Sequence, residues 1–222
     1  MRLLAIDTST DYISVAITDG EKTAARIHRK APRSHSSLLM PTIDSCLKKA
    51  RMKISKIDGF AVSIGPGSFT GLRIGVATVK GLAFVLKKPI VAVHTLDAIA
   101  ENCRKKKGVI CPVLDARKEK VYAAVFESDG SKIRKISADL LVPLKDLIDR
   151  LKIYDNVFFL GDFAKRAASM LPGSETFGSA WQPKPETVGA IGSGLFSKRK
   201  FVSAEDLEPL YLYSKECDIT GV

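Results

Sequence analysis

Gly65-Pro66-Gly67-Ser68-Phe69-Thr70-Gly71-Leu72-Arg73 stands between two apolar stretches, residues 57–64 before it and residues 72–86 after it. The first stretch reads as a buried strand, and two glycines with a proline between them make a stiff turn closed to most other residues. Ser68 or Thr70 can cap the helix that follows, predicted over residues 70–86. A helix start approached by glycines, here Gly65 and Gly67 with Ser68, can hold an anion. The segment is not a P-loop, because no Gly-Lys-Ser or Gly-Lys-Thr follows and Arg73 already lies inside the helix. Its chemistry alone allows either a phosphate cradle or a plain strand-to-helix turn.

The helix itself is unusual. Leu72, Ile74, Val76, Ala77, Val79, Leu82, Ala83, Phe84, Val85 and Leu86 cover all of its sides, and Arg73 and Lys80 are its only charges. A helix apolar all round calls for burial all round, by a partner or by the rest of the chain. Gly71, Gly75, Thr78 and Leu82 lie about one turn apart and form a small-residue stripe that another helix could approach. The preceding helix, capped by Ser34 or Ser36 and running to about Ala50, carries Leu39, Ile43, Leu47 and Ala50 at helical spacing, with Pro41 expected in its first turn. Leu38, Leu39 and Met40 point in three successive directions, so one of them faces outward. With His35 at the head of that helix, the expected partner surface is His35, Leu38, Leu39, Met40, Ile43, Gly71, Gly75, Thr78 and Leu82.

Towards the N-terminus, residues 3–7, 12–18 and 22–29 read as a three-strand meander with a turn at Asp19-Gly20. Asp7-Thr8-Ser9-Thr10 joins the first two strands. Its carboxylate and hydroxyls can hold a phosphate or merely close a tight turn. Beyond the long helix come a strand at 90–93, a short helix from Thr95 to Glu101, and the basic connection Arg104-Lys105-Lys106-Lys107-Gly108. The pattern then restarts: strands at 109–114 and 121–127 with a turn at Ser128-Asp129-Gly130, a strand near Ile133, a helix at 144–151 and a strand at 157–160. Helices at 164–170 and 188–196 flank a loop at 171–185. The expected fold is α/β, with two related lobes of mixed sheet flanked by helices: residues 1–101, and a reduced second lobe, 102–222, whose tail can pack back on the first.

A chain of 222 residues with 45% hydrophobic content can bury a core. The apolar start ends at Asp7, too early for a signal-peptide core, and Lys87-Lys88 interrupts the richest apolar region, so a soluble cytoplasmic protein outside membranes is expected. Cys46, Cys103, Cys111 and Cys217 are dispersed and read as free thiols, and His28, His35 and His94 form no metal-ligand pattern. Net charge +11 suits RNA, yet it also suits lysine-rich solvated faces. The runs lie at 26–33, 48–56, 104–107, 117–120 and 198–200.

Taken in order, Leu4-Ala5-Ile6-Asp7-Thr8-Ser9, His35-Ser36-Ser37-Leu38-Leu39-Met40-Pro41, the segment from Gly65 to Gly75, His94-Thr95-Leu96-Asp97-Ala98, Asp115-Ala116-Arg117-Lys118-Glu119-Lys120-Val121-Tyr122 and Pro209-Leu210-Tyr211-Leu212 resemble the TsaB (YeaZ) family over most of the chain. The resemblance implies two lobes of the actin-like ATPase (RNase H-like) superfamily. It implies a noncatalytic role beside a TsaD-type catalytic subunit and a TsaE-type ATPase in tRNA threonylcarbamoyladenosine synthesis. It also implies a homodimer when the chain is alone and tRNA contact mainly through the complex. Asp7, Thr8, Ser9, Gly65, Gly67 and Ser68 then fall at a degenerate nucleotide position. No tightly bound cofactor is expected, and ATP or ADP with magnesium belongs to the assembled complex.

The catalytic relative carries H-x-x-x-H, whereas His35 here is followed four positions on by Leu39. Gly161-Asp162 and Gly192-Ser193-Gly194 stand as degenerate second-lobe nucleotide loops. No peptidase constellation is present in the sequence. The competing reading is a free-standing actin-like ATPase or small-molecule kinase.

Overall fold

The computed structural model describes residues 1–20, 22–178 and 181–213, so Cys217 lies outside the described residues. The chain forms two compact units, residues 1–102 with 181–209, and residues 103–180 with 210–222.

The first unit is built on a mixed sheet of β1 (Arg2–Asp7), β2 (Tyr12–Asp19), β3 (Lys22–Lys30), β4 (Gly59–Gly65) and β5 (Ile90–His94) in the order β3-β2-β1-β4-β5. β1 to β3 form the expected antiparallel meander, and β4 and β5 run parallel to β1. β1 is central, so Leu3 to Asp7 are all buried, as a strand covered on both faces must be. α1 (His35–Lys49) and α2 (Phe69–Leu86) form the layer over one face, where Leu39, Ile43, Cys46, Val76, Val79 and Ala83 join Leu4, Ile6, Val15 and Val62 in one core. Pro41 sits at the seventh position of α1, not in its first turn as expected. Pro41 and Ser37 are both exposed, so the carbonyl left without a donor lies on the solvent side. The short helix α3 (Thr95–Ala100) follows β5 directly.

In the second unit, β6 (Lys107–Asp115) pairs antiparallel with β7 (Lys120–Ala123) along residues 113–115 and with β8 (Phe126–Asp129) along residues 107–110. The single strand expected at 121–127 is therefore two. At the break, Val125 donates its N–H to Ser137 Oγ at 2.8 Å instead of to a strand. β9 (Ile133–Lys135) extends β8, and β10 (Leu140–Pro143), absent from the sequence reading, pairs with β7. α4 (Leu144–Leu151) buries Leu144, Leu147, Ile148 and Leu151, one stripe at helical spacing. β11 (Val157–Leu160) runs parallel to β6, α5 (Ala164–Met170) buries Ala164 and Ala167 in the same core, and β12 (Glu175–Thr176) adds to β11.

The break near residue 102 lies where expected, but the last helix, α6 (Pro185–Ser197), expected in the second lobe, lies in the first unit. It covers the face of that unit's sheet opposite α1 and α2, with Val188 packed among Ala5, Ala16, Ala61 and Val91. Two glycines let it lie close: a Cβ on Gly189 would stand 2.5 Å from Thr18 Cγ2, and one on Gly192 2.4 Å from Ala61 Cβ. Gly192-Ser193-Gly194 is thus an interior stretch of a packed helix, not a nucleotide loop.

Candidate functional site

The six candidate nucleotide residues do come together, because β1 and β4 are parallel neighbours and their C-terminal ends lie side by side. There they bond to one another. Thr8 Oγ1 donates to Gly71 O at 2.8 Å, Ser9 N and Oγ donate to the Asp7 carboxylate at 3.1 and 3.0 Å, and Ser68 N donates to Ser9 O at 2.7 Å. Ser68 Oγ caps α2 by accepting from Gly71 N. Gly67 is held against the hairpin, since a Cβ there would lie 2.3 Å from Ser9 O. Gly65, at φ +117° and followed by a cis bond to Pro66, makes the turn.

Asp7, Thr8 and Ser9 are buried. Burial pushes the Asp7 carboxyl up to about 6, against the smaller downward pull of Ser63, Ser9 and the His35 ring. Ser63 Oγ beside it makes no hydrogen bond of ordinary geometry. Thr8 Oγ1, Ser9 N and Oγ, and Ser68 N thus already donate within the chain, and a phosphate would have to displace those bonds to be held by them.

The same contacts reassign the glycine stripe. A Cβ on Gly71 would lie 2.1 Å from Thr8 O and one on Gly75 2.3 Å from Thr8 Oγ1, so both glycines let α2 rest on the hairpin of its own lobe. Leu39 and Ile43 are core residues and His35 is buried, with Nε2 3.3 Å from Tyr12 O. These five leave the expected partner surface, because they are spent on intrachain packing. Leu38, Thr78 and Leu82 are half-buried, and Leu38 and Leu82 pack at the margin of the core. Of Leu38, Leu39 and Met40, Met40 is the one that points out, at 49% exposed.

α2 is not buried all round within its unit. Its buried arc is Gly71, Leu72, Gly75, Val76, Val79 and Ala83. On the opposite arc Ala77, Gly81, Phe84 and Val85 are exposed, Phe84 by 74% and Val85 by 76%, and Phe69 is exposed at the helix's first position. Arg73 lies over the Phe69 ring at 3.7 Å, and Lys80 Nζ donates to Glu205 O and Leu207 O at 3.3 and 3.1 Å. Contrary to the sequence expectation, α2 is long and apolar enough by length and composition to cross a membrane, although in the fold its buried arc is packed on the sheet. The outward residues Ala77, Phe84 and Val85 were missed as candidates because an all-apolar helix has no phase in its periodicity. Its contacts alone supply that phase.

In the second unit, Gly161, at φ +120°, meets Val113 O where a Cβ would lie 2.0 Å away, and Asp162 Oδ1 accepts from Asp115 N at 2.9 Å. The turn from β6 to β7 places Arg117, Lys118 and Glu119 in succession at φ +63°, +50° and +59°. Glu119 is ion-paired with Arg166.

The family model described as TsaD, tRNA N6-adenosine threonylcarbamoyltransferase, matches residues 26–170. The tRNA threonylcarbamoyladenosine biosynthesis protein TsaB of Bacillus subtilis (strain 168) is 32% identical over 225 residues, 98% of this chain and 96% of that one. Its counterpart in Escherichia coli (strain K12) is 29% identical over 223 residues, 96% of this chain and 94% of its own. A solved Pseudomonas aeruginosa protein, described as similar to the peptidase YeaZ, superposes with a TM-score of 0.84 at 26% identity, over 96% of this chain and 99% of that one. Agreement in sequence and in fold over nearly the full length means that the chain belongs to the TsaB (YeaZ) family of tRNA threonylcarbamoyladenosine biosynthesis proteins.

Proposed function

We propose that this chain is a noncatalytic subunit of the threonylcarbamoyladenosine synthesis machinery, which binds and supports a TsaD-type transferase together with a TsaE-type ATPase in the cytoplasm. It reaches tRNA mainly through that complex and pairs with a second copy of itself when alone. The observation that carries the reading is the outer arc of α2, where Phe84 and Val85 stand exposed beside Ala77 and Gly81. Burying a Phe or Val side chain contributes roughly 1.5–3 kcal/mol each, so these two alone favour association by about 3–6 kcal/mol before the costs of binding. Gly81 supports a close partner. A mid-helix glycine is unfavourable by about 1 kcal/mol relative to alanine, and open space within 4 Å gives it no reason inside the chain. The rival reading, a free-standing ATPase or kinase, has less support because Thr8 Oγ1, Ser9 N and Ser68 N already donate to Gly71 O, the Asp7 carboxylate and Ser9 O.

Size-exclusion chromatography with a TsaD-type subunit tests this. The unsubstituted chain is expected to co-elute, and Phe84→Asp with Val85→Asp to elute alone with unchanged circular dichroism. A variant that still co-elutes means the surface is wrong, and an unsubstituted chain that never does means the function is wrong. Threonylcarbamoyl transfer to tRNA, measured with and without the chain, reports whether the support is needed.

A further inference from the structure

Between Lys22 and Ile43 the sequence carries Lys22, Arg26, Arg29, Lys30 and Arg33 and no Asp or Glu, in a chain that has 24 acidic residues in all. Four of these five cations, Lys22, Arg26, Arg29 and Lys30, lie on β3, the edge strand of the first sheet. The register sorts its residues by face. Ala16 and Ser14, on the α6 side, pair with Arg26 and His28, and Tyr12 pairs with Lys30, so Tyr12, Arg26, His28 and Lys30 share one face. Residues two apart on that face are about 7 Å apart along the strand.

On this face the Tyr12 and His28 rings are stacked, with centroids 4.6 Å apart and planes 13° apart. Arg26 is held by an ion pair with Glu186, and Lys184 is close enough that its charge, with that of Arg26, helps burial to lower the His28 pKa against Glu186. Among the described residues, no carboxylate lies within ion-pair distance of Lys30 or Lys184. The tautomer of His28 follows from its neighbours. Ser14 Oγ has a single proton and gives it to Pro183 O at 3.1 Å, so it accepts from His28 Nδ1 at 2.8 Å. A neutral His28 therefore keeps its Nε2 lone pair as an acceptor.

Lysines on an edge strand also discourage pairing with other chains. That purpose is served by either sign of charge and needs no aromatic stack. Cations of one sign around coplanar rings with a lone-pair acceptor fit a particular chemistry: phosphates on the cations, a base extending the stack, and a ribose hydroxyl or exocyclic amine donating to the imidazole. We infer that the face of β2 and β3 formed by Tyr12, Arg26, His28 and Lys30, with Lys184, is a direct binding site for an unpaired stretch of RNA. The inference rests on the proposed function only in taking tRNA as the natural source of that stretch.

The test uses the full chain and fluorescence anisotropy with a labelled single-stranded RNA 12-mer and an unmodified tRNA transcript, across a series of salt concentrations. Saturable, salt-sensitive binding is expected. Tyr12→Ala with His28→Ala should weaken it about 5- to 100-fold. Lys30→Glu with Lys184→Glu should reduce the slope of log affinity against log salt by roughly 1.4, the share of two phosphate contacts on a single strand. Because Tyr12 is half-buried, His28→Gln provides a milder probe of the stack, and it should also weaken binding. The idea is overturned if the unsubstituted chain shows no saturable RNA binding, or if the variants bind as it does. Equal binding of double-stranded RNA, or displacement by polyglutamate at equal charge, overturns it as well. Co-elution with the TsaD-type subunit, followed in the same variants, should be unchanged, so failure here is distinguishable from failure of the proposed function.

Discussion

Gly75→Ala and Gly81→Ala make the same chemical change in the same helix, and the structure gives them opposite signs. Replacing a mid-helix glycine by alanine stabilises a helix by about 1 kcal/mol. At Gly81 nothing lies within 4 Å of the new Cβ, so that gain is realised in full. At Gly75 the Cβ would stand 2.3 Å from Thr8 Oγ1 and 3.6 Å from Thr8 Cγ2. Thr8 can keep its rotamer and force α2 off the hairpin, an overpacking cost of about 1–3 kcal/mol. Or it can turn, abandon its 2.8 Å bond to Gly71 O, and bury an unpaired hydroxyl, which costs a similar amount, about 1–3 kcal/mol. Subtracting the propensity gain leaves Gly75→Ala about 0–2 kcal/mol less stable. In a chain of this size each kcal/mol moves Tm by roughly 2–4 °C. The expected outcome is a fall of up to about 8 °C for Gly75→Ala and a rise of about 2–4 °C for Gly81→Ala. Both are read by thermal unfolding in a Phe84→Asp background, so that self-association does not contribute. If Gly75→Ala melts at or above Gly81→Ala, the packing of α2 on Thr8 is wrong.

Other expectations follow from the same packing. The Asp7 carboxyl is raised from 3.8 to about 6, so between those values the folded chain holds more protons than the unfolded one, and stability falls as pH rises through that window. A shift of this size corresponds to about 3 kcal/mol at most, and Asp7→Asn should flatten the pH dependence of urea midpoints from pH 4 to pH 7 and raise stability at pH 8. Lys118 is the middle of three successive left-handed residues. Lys118→Gly should remove about 1 kcal/mol of backbone strain and raise the urea midpoint, and a lowered midpoint would refute the strain. At dilutions where both are monomeric, Phe84→Asp should leave Tm within about 2 °C of the unsubstituted chain, because surface changes away from special features stay within about 0.5 kcal/mol, while analytical ultracentrifugation at higher concentration should show loss of the proposed self-association.

Local chemistry was enough for much of the fold. Alternation marked β2, Asp19-Gly20 marked its turn, Ser68 or Thr70 as a cap placed the start of α2 within a residue, and the helix expected at 144–151 is α4. Order of elements was enough for two α/β lobes. The split of residues 121–127 into β7 and β8 escaped because it depends on a partner, Ser137, whose hydroxyl replaces a ladder bond. α6 escaped assignment because no local signal says which sheet a helix will cover. Gly189 and Gly192 decide it through their fit against Thr18 and Ala61, residues more than a hundred positions away.

The candidate site divides in the same way. The family resemblance grouped Asp7-Thr8-Ser9 with Gly65, Gly67 and Ser68, and composition gave the excess apolar surface of α2. Only the tertiary structure decided that the hairpin satisfies its own donors, that Gly71 and Gly75 face inward, and that Phe84 and Val85 face out. Composition sets how much apolar surface a helix has, but a helix apolar on every side carries no phase, so its orientation is fixed by the long-range contacts that bury one arc and leave the other exposed.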